Sequence, residues 1–124
     1  MSRVLFIDDE IDTLQTYKKG VELFGHEALT AEDGQTGVDL AQQTLPDVVF
    51  VDMQMAGLSG LEVVRALRQD TRTASVPAYV LSAGPELDAE EIVRAAGAAG
   101  YLLKPIRLQT LLDAIEGTQA AEVG

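Results

Sequence analysis

The sequence predicts an α/β protein: a single domain built on a doubly wound, five-stranded parallel sheet with five helices over its two faces. Three observations lead there. Short apolar runs alternate along the chain with stretches whose apolar residues recur at helical spacing, the pattern of right-handed βαβ crossovers. The strongest run, Val48-Val49-Phe50-Val51, is apolar on both sides of its pleat, as a strand covered on both faces must be. A length of 124 residues fits one such domain and leaves little room for a second.

Taken in order, Val4-Leu5-Phe6-Ile7 is a brief β-prone run that ends at Asp8 and Asp9. From Ile11 the apolar residues recur at Leu14, Tyr17, Val21 and Phe24, a helical spacing that Gly25 stops. Glu27 to Ala31 reads as a weak second strand. Asp33 is placed to cap a second helix, which carries Val38, Ala41 and Leu45 and ends before Pro46. Val48 to Val51 is the third strand and runs into Asp52; residues 53–59 read as a loop. Gly60 to Gln69 is a third helix, through Leu61, Val64 and Leu67. Pro77 to Leu81 is a fourth strand, proline being tolerated at its first position. Asp88 to Ala96 is a shorter helix, and Gly100 to Leu103 a fifth strand followed by Lys104-Pro105. Leu108, Leu111, Leu112 and Ile115 define a last helix. From Gly117 to Gly124 the helical pattern is lost. The domain is therefore expected over residues 1–117, with 118–124 a tail or the start of a linker.

Composition narrows the function. Apolar residues make up 47% of the chain, enough for one packed core. There is no cysteine, hence no disulfide framework and no thiolate metal site. The first residues lack the apolar core of a signal peptide, and no run reaches the length of a membrane span, so a cytoplasmic protein without membrane contact is expected. The net charge of −11 repels phosphate backbones, which argues against direct nucleic-acid binding and suits a cation or a basic partner face.

In an open α/β sheet the site lies beyond the carboxyl ends of the strands, where strand order reverses. In the flavodoxin-like order 2-1-3-4-5 the first and third strands are neighbours at that point. Asp8, Asp9 and Asp52 would then converge in one shallow pocket, with the Ser82 hydroxyl and the Lys104 ammonium on its rim. Three converging carboxylates repel, raising at least one pKa, and a hard divalent cation relieves the repulsion; oxygen-only ligands suit magnesium. Asp52 can then attack a phosphorus centre while Lys104 and the cation share the charge on the phosphoryl oxygens and Ser82 donates to them. Each piece alone has a plainer reading. An Asp-Asp pair after a strand is most often a helix cap, and a strand-terminal aspartate a turn residue. Specificity lies in the conjunction at one sheet edge.

Phe6-Ile7-Asp8-Asp9-Glu10, Val51-Asp52-Met53-Gln54-Met55, Gly57-Leu58-Ser59-Gly60, Leu81-Ser82-Ala83 and Tyr101-Leu102-Leu103-Lys104-Pro105 together resemble the receiver domain of two-component response regulators, over essentially the full chain. The resemblance implies that Asp52 is the phosphoacceptor. It implies a magnesium site (or manganese in its place) organised by Asp8, Asp9, Asp52 and the backbone carbonyl of Gln54, with Asp8 acting through a coordinated water. Lys104 would contact the phosphoryl group, and Ser82 with Tyr101 would form a switch pair. The donor would be a phosphohistidine on a sensor histidine kinase or phosphotransfer protein. Apart from its own phosphorylation and dephosphorylation such a domain catalyses nothing. The face made by the fourth helix, fifth strand and fifth helix, here with Glu90, Arg94, Tyr101, Arg107 and Asp113, would serve an effector, an output domain or a homodimer.

Three positions depart from the family pattern. Ala56 stands where proline is usual, so the loop behind Asp52 is expected to be less rigid. Ser82 replaces the commoner threonine. Gly84 stands where a larger side chain often controls water access, which bears on phosphoryl lifetime. Two rivals use the same residue types. One is a pseudo-receiver, a binding module that is never phosphorylated, which acetyl phosphate labelling would distinguish. The other is a haloacid-dehalogenase-type phosphatase, whose nucleophile motif needs a second aspartate two positions on; Glu10 and Gln54 occupy those places.

Overall fold

The structure, a computed structural model, describes residues 1–84 and 89–123, with side chains over 1–84 and 90–117. The elements alternate as expected: β1 (Arg3–Ile7), α1 (Ile11–Leu23), β2 (Glu27–Ala31), α2 (Gly34–Thr44), β3 (Val48–Asp52), α3 (Gly60–Gln69), β4 (Ala78–Ser82), α4 (Ala89–Ala95), β5 (Gly100–Leu103) and α5 (Leu108–Val123). All neighbouring strands pair in parallel, in the order β2-β1-β3-β4-β5. This is the doubly wound, flavodoxin-like arrangement that the sequence implies.

The side-chain period of two explains the two cores. Leu5, Ile7, Val49, Val51 and Val80 point to one face and meet Val38 and Ala41 of α2 and Val63, Val64 and Leu67 of α3. Val4, Phe6, Val48, Phe50 and Leu81 point to the other and meet Leu14, Tyr17 and Val21 of α1 and Leu111 and Ile115 of α5. Every residue of β3 is buried. At about 1.5–3 kcal/mol for each large side chain, this double burial is what holds the central strands together. On the second face Tyr17, Phe6, Phe50 and Tyr79 pack in series, with ring centroids 5.4, 5.4 and 5.5 Å apart, the first pair tilted and the other two stacked.

Helix starts follow local chemistry. Asp33 caps α2, accepting from the Thr36 backbone N–H at 2.8 Å. Ser59 and Glu62 form a reciprocal capping box on α3. The start of α1 is different: its cap is Glu10, without a side-chain cap bond, and the Glu10 N–H donates to Asp8 Oδ1 at 3.0 Å, which leaves Asp8 Oδ2 for the Lys104 ammonium.

Several boundaries differ from the sequence reading: β1 begins one residue earlier, at Arg3, and α4 ends one residue earlier, at Ala95. β4 begins one residue later and includes Ser82. The helix that was to fade at Gly117 runs on to Val123. Its apolar stripe stops at Ile115, but the following Ala, Gln and Glu residues are strong helix formers, and one interior glycine costs only about 1 kcal/mol. Asp88, expected to open the fourth helix, lies outside the described residues. Among the described residues, no helix is long and apolar enough to cross a membrane.

Candidate functional site

The backbone ladders run past the strand ends and thereby place the polar residues. Asp8 N–H donates to the Ala31 carbonyl at 3.1 Å, Met53 N–H to Leu81 at 2.7 Å, and Lys104 N–H to Ser82 at 2.7 Å. Asp8, Asp52 and Lys104 therefore sit on, or one step beyond, a paired strand and not on free loops. Gly60 tightens the arrangement from below, donating its N–H to the Met53 carbonyl at 2.9 Å.

Asp8, Asp9 and Asp52 come together as the strand order requires: each offers a carboxylate oxygen within 4.8 Å of the others. Asp8 is 1% exposed and Asp52 8%, while Asp9 is open to solvent. The Lys104 ammonium bridges the two buried carboxylates, 2.9 Å from Asp52 Oδ1 and 3.1 Å from Asp8 Oδ2. Burial pushes the Asp52 carboxyl above the ordinary range; repulsion from Asp8 and Asp9 adds to this, and the Lys104 hydrogen bond offsets part of it. The expected rise is therefore present, with burial ahead of like-charge repulsion as its cause. Burial pulls Lys104 down, but its bonds to Asp52 and Asp8 outweigh that and raise it well above the usual lysine value. Lys104 is thus firmly cationic, and it partly neutralises a buried pair whose charges would otherwise be costly.

A cavity of about 220 Å³ opens on this cluster, lined by Asp9, Glu10, Asp52, Met53, Gln54, Ser82, Ala83, Gly84 and Lys104. Gln54, whose carbonyl was assigned a ligand role, lines it with an exposed side chain. A larger groove of about 560 Å³ lies alongside, between α1 and the Lys104-Pro105-Ile106 segment, with Tyr17 in its wall. The carboxylates other than Glu10 and Asp12 stay out of that groove, so the acid–base and ligand chemistry belongs to the smaller cavity.

Ser82 and Tyr101, expected from the sequence as a switch pair, share a backbone acceptor that the sequence did not reveal. Ser82 Oγ donates to the Gly84 carbonyl at 3.1 Å, and the Tyr101 hydroxyl donates to the same oxygen at 2.9 Å. Tyr101 is half-buried, its hydroxyl held by that carbonyl. Among the described residues, a Cβ at Gly84 would meet nothing within 4 Å. At Gly60, which opens α3, a Cβ would collide with the backbone of Asp52.

The donor set fits magnesium or manganese. It is oxygen-only, without histidine or cysteine, and its carboxylate oxygens gather within 4.8 Å of one another, so Asp8, Asp9 and Asp52 would suit a hard divalent cation.

Fold and site define a flavodoxin-like domain with an acidic pocket at its switch point. The chain belongs to the response regulator receiver family: the model of the response regulator receiver domain matches residues 4–116. It is similar to the protein PilH of Pseudomonas aeruginosa, 35% identical over 97% of this chain and 99% of that one. It is 38% identical to the transcriptional regulatory protein PrrA of Mycobacterium tuberculosis over 92% of this chain, and the match spans 48% of that longer protein. Among solved structures, the chemotaxis protein CheY4 of Vibrio cholerae superposes with a TM-score of 0.89 at 30% identity, covering 95% of this chain and 98% of that one. A receiver domain protein from Clostridium thermocellum gives 0.90 at 31%, covering 98% and 97%. The chain is a receiver domain of the two-component class, and neither the pseudo-receiver nor the phosphatase reading is favoured.

Proposed function

We propose that this receiver takes a phosphoryl group onto Asp52 from a phosphohistidine donor, a sensor histidine kinase or phosphotransfer protein of the cytoplasm. The observation that carries this is the convergence of Asp8, Asp9 and Asp52 within 4.8 Å under a lysine that bridges two of them. A carboxylate oxygen of Asp52 forms the new P–O bond, the P–N bond to the donor imidazole breaks, and the imidazole leaves with its electron pair and takes up a proton. Asp8, Asp9, Asp52 and the Gln54 carbonyl would hold magnesium or manganese, which when bound neutralises charge on the transferring group. Lys104 follows the transferred charge from the carboxylate to a phosphoryl oxygen, and Ser82 turns its hydroxyl from Gly84 to another. The domain turns over no external substrate; water, admitted beside Gly84, later cleaves the acyl phosphate.

The reading face is α4, β5 and α5. Glu90 and Arg94 there are exposed and pair with each other at 3.2 Å, Asp113 accepts from Gln109 at 2.8 Å, and Arg107 is exposed. Exposed Ile92 and Leu103 give the same face apolar area for an effector, an output domain or a second copy. The receiver unit is assigned to residues 1–117, with 118–124 a tail or linker start.

Acetyl phosphate labelling read by intact mass tests the acceptor. Wild type gains one phosphoryl increment in the presence of magnesium, and folded Asp52→Asn gains none. Equal uptake by the Asn variant would move the acceptor elsewhere.

A further inference from the structure

Arg68, in the last turn of α3, binds an unusual set of partners. Its Nε–H donates to the Gly97 carbonyl at 2.9 Å, one terminal nitrogen to Thr73 at 3.2 Å and Ala74 at 3.1 Å, and the other to Val76 at 2.6 Å. All four acceptors are backbone carbonyls; the ion pairs among the described residues do not include Arg68. A partly buried guanidinium spent wholly on carbonyls fixes chain geometry, because its planar fork sets the direction of every bond.

That geometry ties two connections together. Thr73, Ala74 and Val76 belong to the α3–β4 connection, and Gly97 to the turn that ends α4. The Gly97 N–H bonds to Arg94 and the Ala98 N–H to Val93, both at 3.0 Å, which is the double closure of a Schellman motif. Gly97 has φ +101°, and a Cβ there would stand 2.8 Å from Arg68 Cγ, so the arginine stem lies directly against it. One step on, Ala99 N–H donates to Ala78 at 2.7 Å, at the amino end of β4. The C-terminal end of α4 is thus fastened at the sheet edge opposite the phosphoacceptor pocket.

The rest of α4 is held lightly. Of its described side chains, only Val93 is buried; Glu90, Glu91, Ile92, Arg94 and Ala95 are exposed. The helix spans seven residues, about 10 Å, and its N-terminal end lies toward the β4 end that carries Ser82. A short element with few buried contacts and one bolted end has one direction in which to move.

We propose that Arg68 is a positioning residue that makes the C-terminal end of α4 a fixed pivot, so that occupation of the Asp52 site swings the N-terminal end. This rests on the receiver reading above. The test is backbone amide NMR with hydrogen exchange on the full chain, with and without magnesium and beryllofluoride. In wild type, amides 89–92 change and amides 96–99 stay. In Arg68→Gln, which loses the fork and the charge, the change spreads into 96–99; Arg68→Lys, which keeps a charged donor without the fork, spreads it less. Equal change at both ends of α4 in wild type overturns the pivot, and that measurement stands even if Arg68→Gln does not fold. Variants that lower the denaturation midpoint equally with and without beryllofluoride while keeping the wild-type gradient also overturn it, since that is what a merely structural arginine would do. A change at residues 52–54 without a gradient in α4 defeats the pivot alone; no change anywhere defeats the proposed phosphoacceptor role of Asp52 with it.

Discussion

A Cβ at residue 60 would stand 2.5 Å from the Asp52 carbonyl oxygen and 2.9 Å from the Met53 Cα. Both are backbone atoms, so no rotamer can absorb the collision; the end of β3 would have to move. That end carries Asp52, whose carboxylate must reach Asp8, Asp9 and Lys104 together. Gly60→Ala is therefore expected to destabilise the domain by about 1–3 kcal/mol. It should also slow acetyl phosphate labelling roughly ten- to hundredfold, because misplacing a reacting atom by about 1 Å is that costly. Urea denaturation and intact mass read the two effects separately. A folded Gly60→Ala labelled at the wild-type rate would show that the strand end tolerates the methyl and that Gly60 does not position the acceptor.

Among the elements, α2 depends most visibly on its cap. The Thr36 backbone N–H, followed by the Thr36 hydroxyl, holds the Asp33 carboxyl below its ordinary value of 3.8. A depressed folded pKa means that the bond's contribution is complete above the ordinary value and is lost as pH falls through the depressed one. Asp33→Asn keeps an acceptor oxygen but does not titrate. Wild type should then have the higher urea midpoint at about pH 7, and the two proteins should converge as the pH falls below the ordinary carboxyl value of 3.8. A gap that stays constant over that range would mean the carboxylate charge contributes nothing to the cap. Asp33 was legible in the sequence because a cap residue has a letter and a place before an apolar-periodic run. The buried strands were legible for a similar reason, since Val48 to Val51 are apolar on both faces. The Ser59–Glu62 box was equally readable and was passed over. The end of α5 was not, because past Ile115 the helix continues on propensity without an apolar stripe. Least legible were the carbonyls of Gly84 and Gly97, which accept from the Ser82 and Tyr101 hydroxyls and from the Arg68 guanidinium. A backbone acceptor has no letter, and only the fold says which ones face a hydroxyl or a guanidinium.

At the scale of the whole molecule, the pocket and the α4–β5–α5 face are joined through one oxygen. Ser82 closes β4, Tyr101 sits on the adjacent β5, and both hydroxyls donate to the Gly84 carbonyl between them. When the Ser82 hydroxyl turns to a phosphoryl oxygen, the carbonyl loses one of two competing donors, and the Tyr101 bond to it strengthens. A hydrogen bond of this kind is worth about 0.5–1.5 kcal/mol net, enough to change the balance between two ring positions severalfold. Ser82→Ala removes the competitor permanently. It should still permit labelling of Asp52, but Tyr101 should be held inward before and after. The measurement is tyrosine side-chain NMR with and without beryllofluoride. In wild type the Tyr101 resonances should move, and in Ser82→Ala they should start near the wild-type bound position and stay there. Equal movement in both proteins would show that Tyr101 responds by a route that bypasses the shared carbonyl. Tyr101→Phe supplies the reverse control. It leaves Ser82 bonded to Gly84 without a rival, so labelling should persist while the α4–β5–α5 face loses its dependence on the state of Asp52.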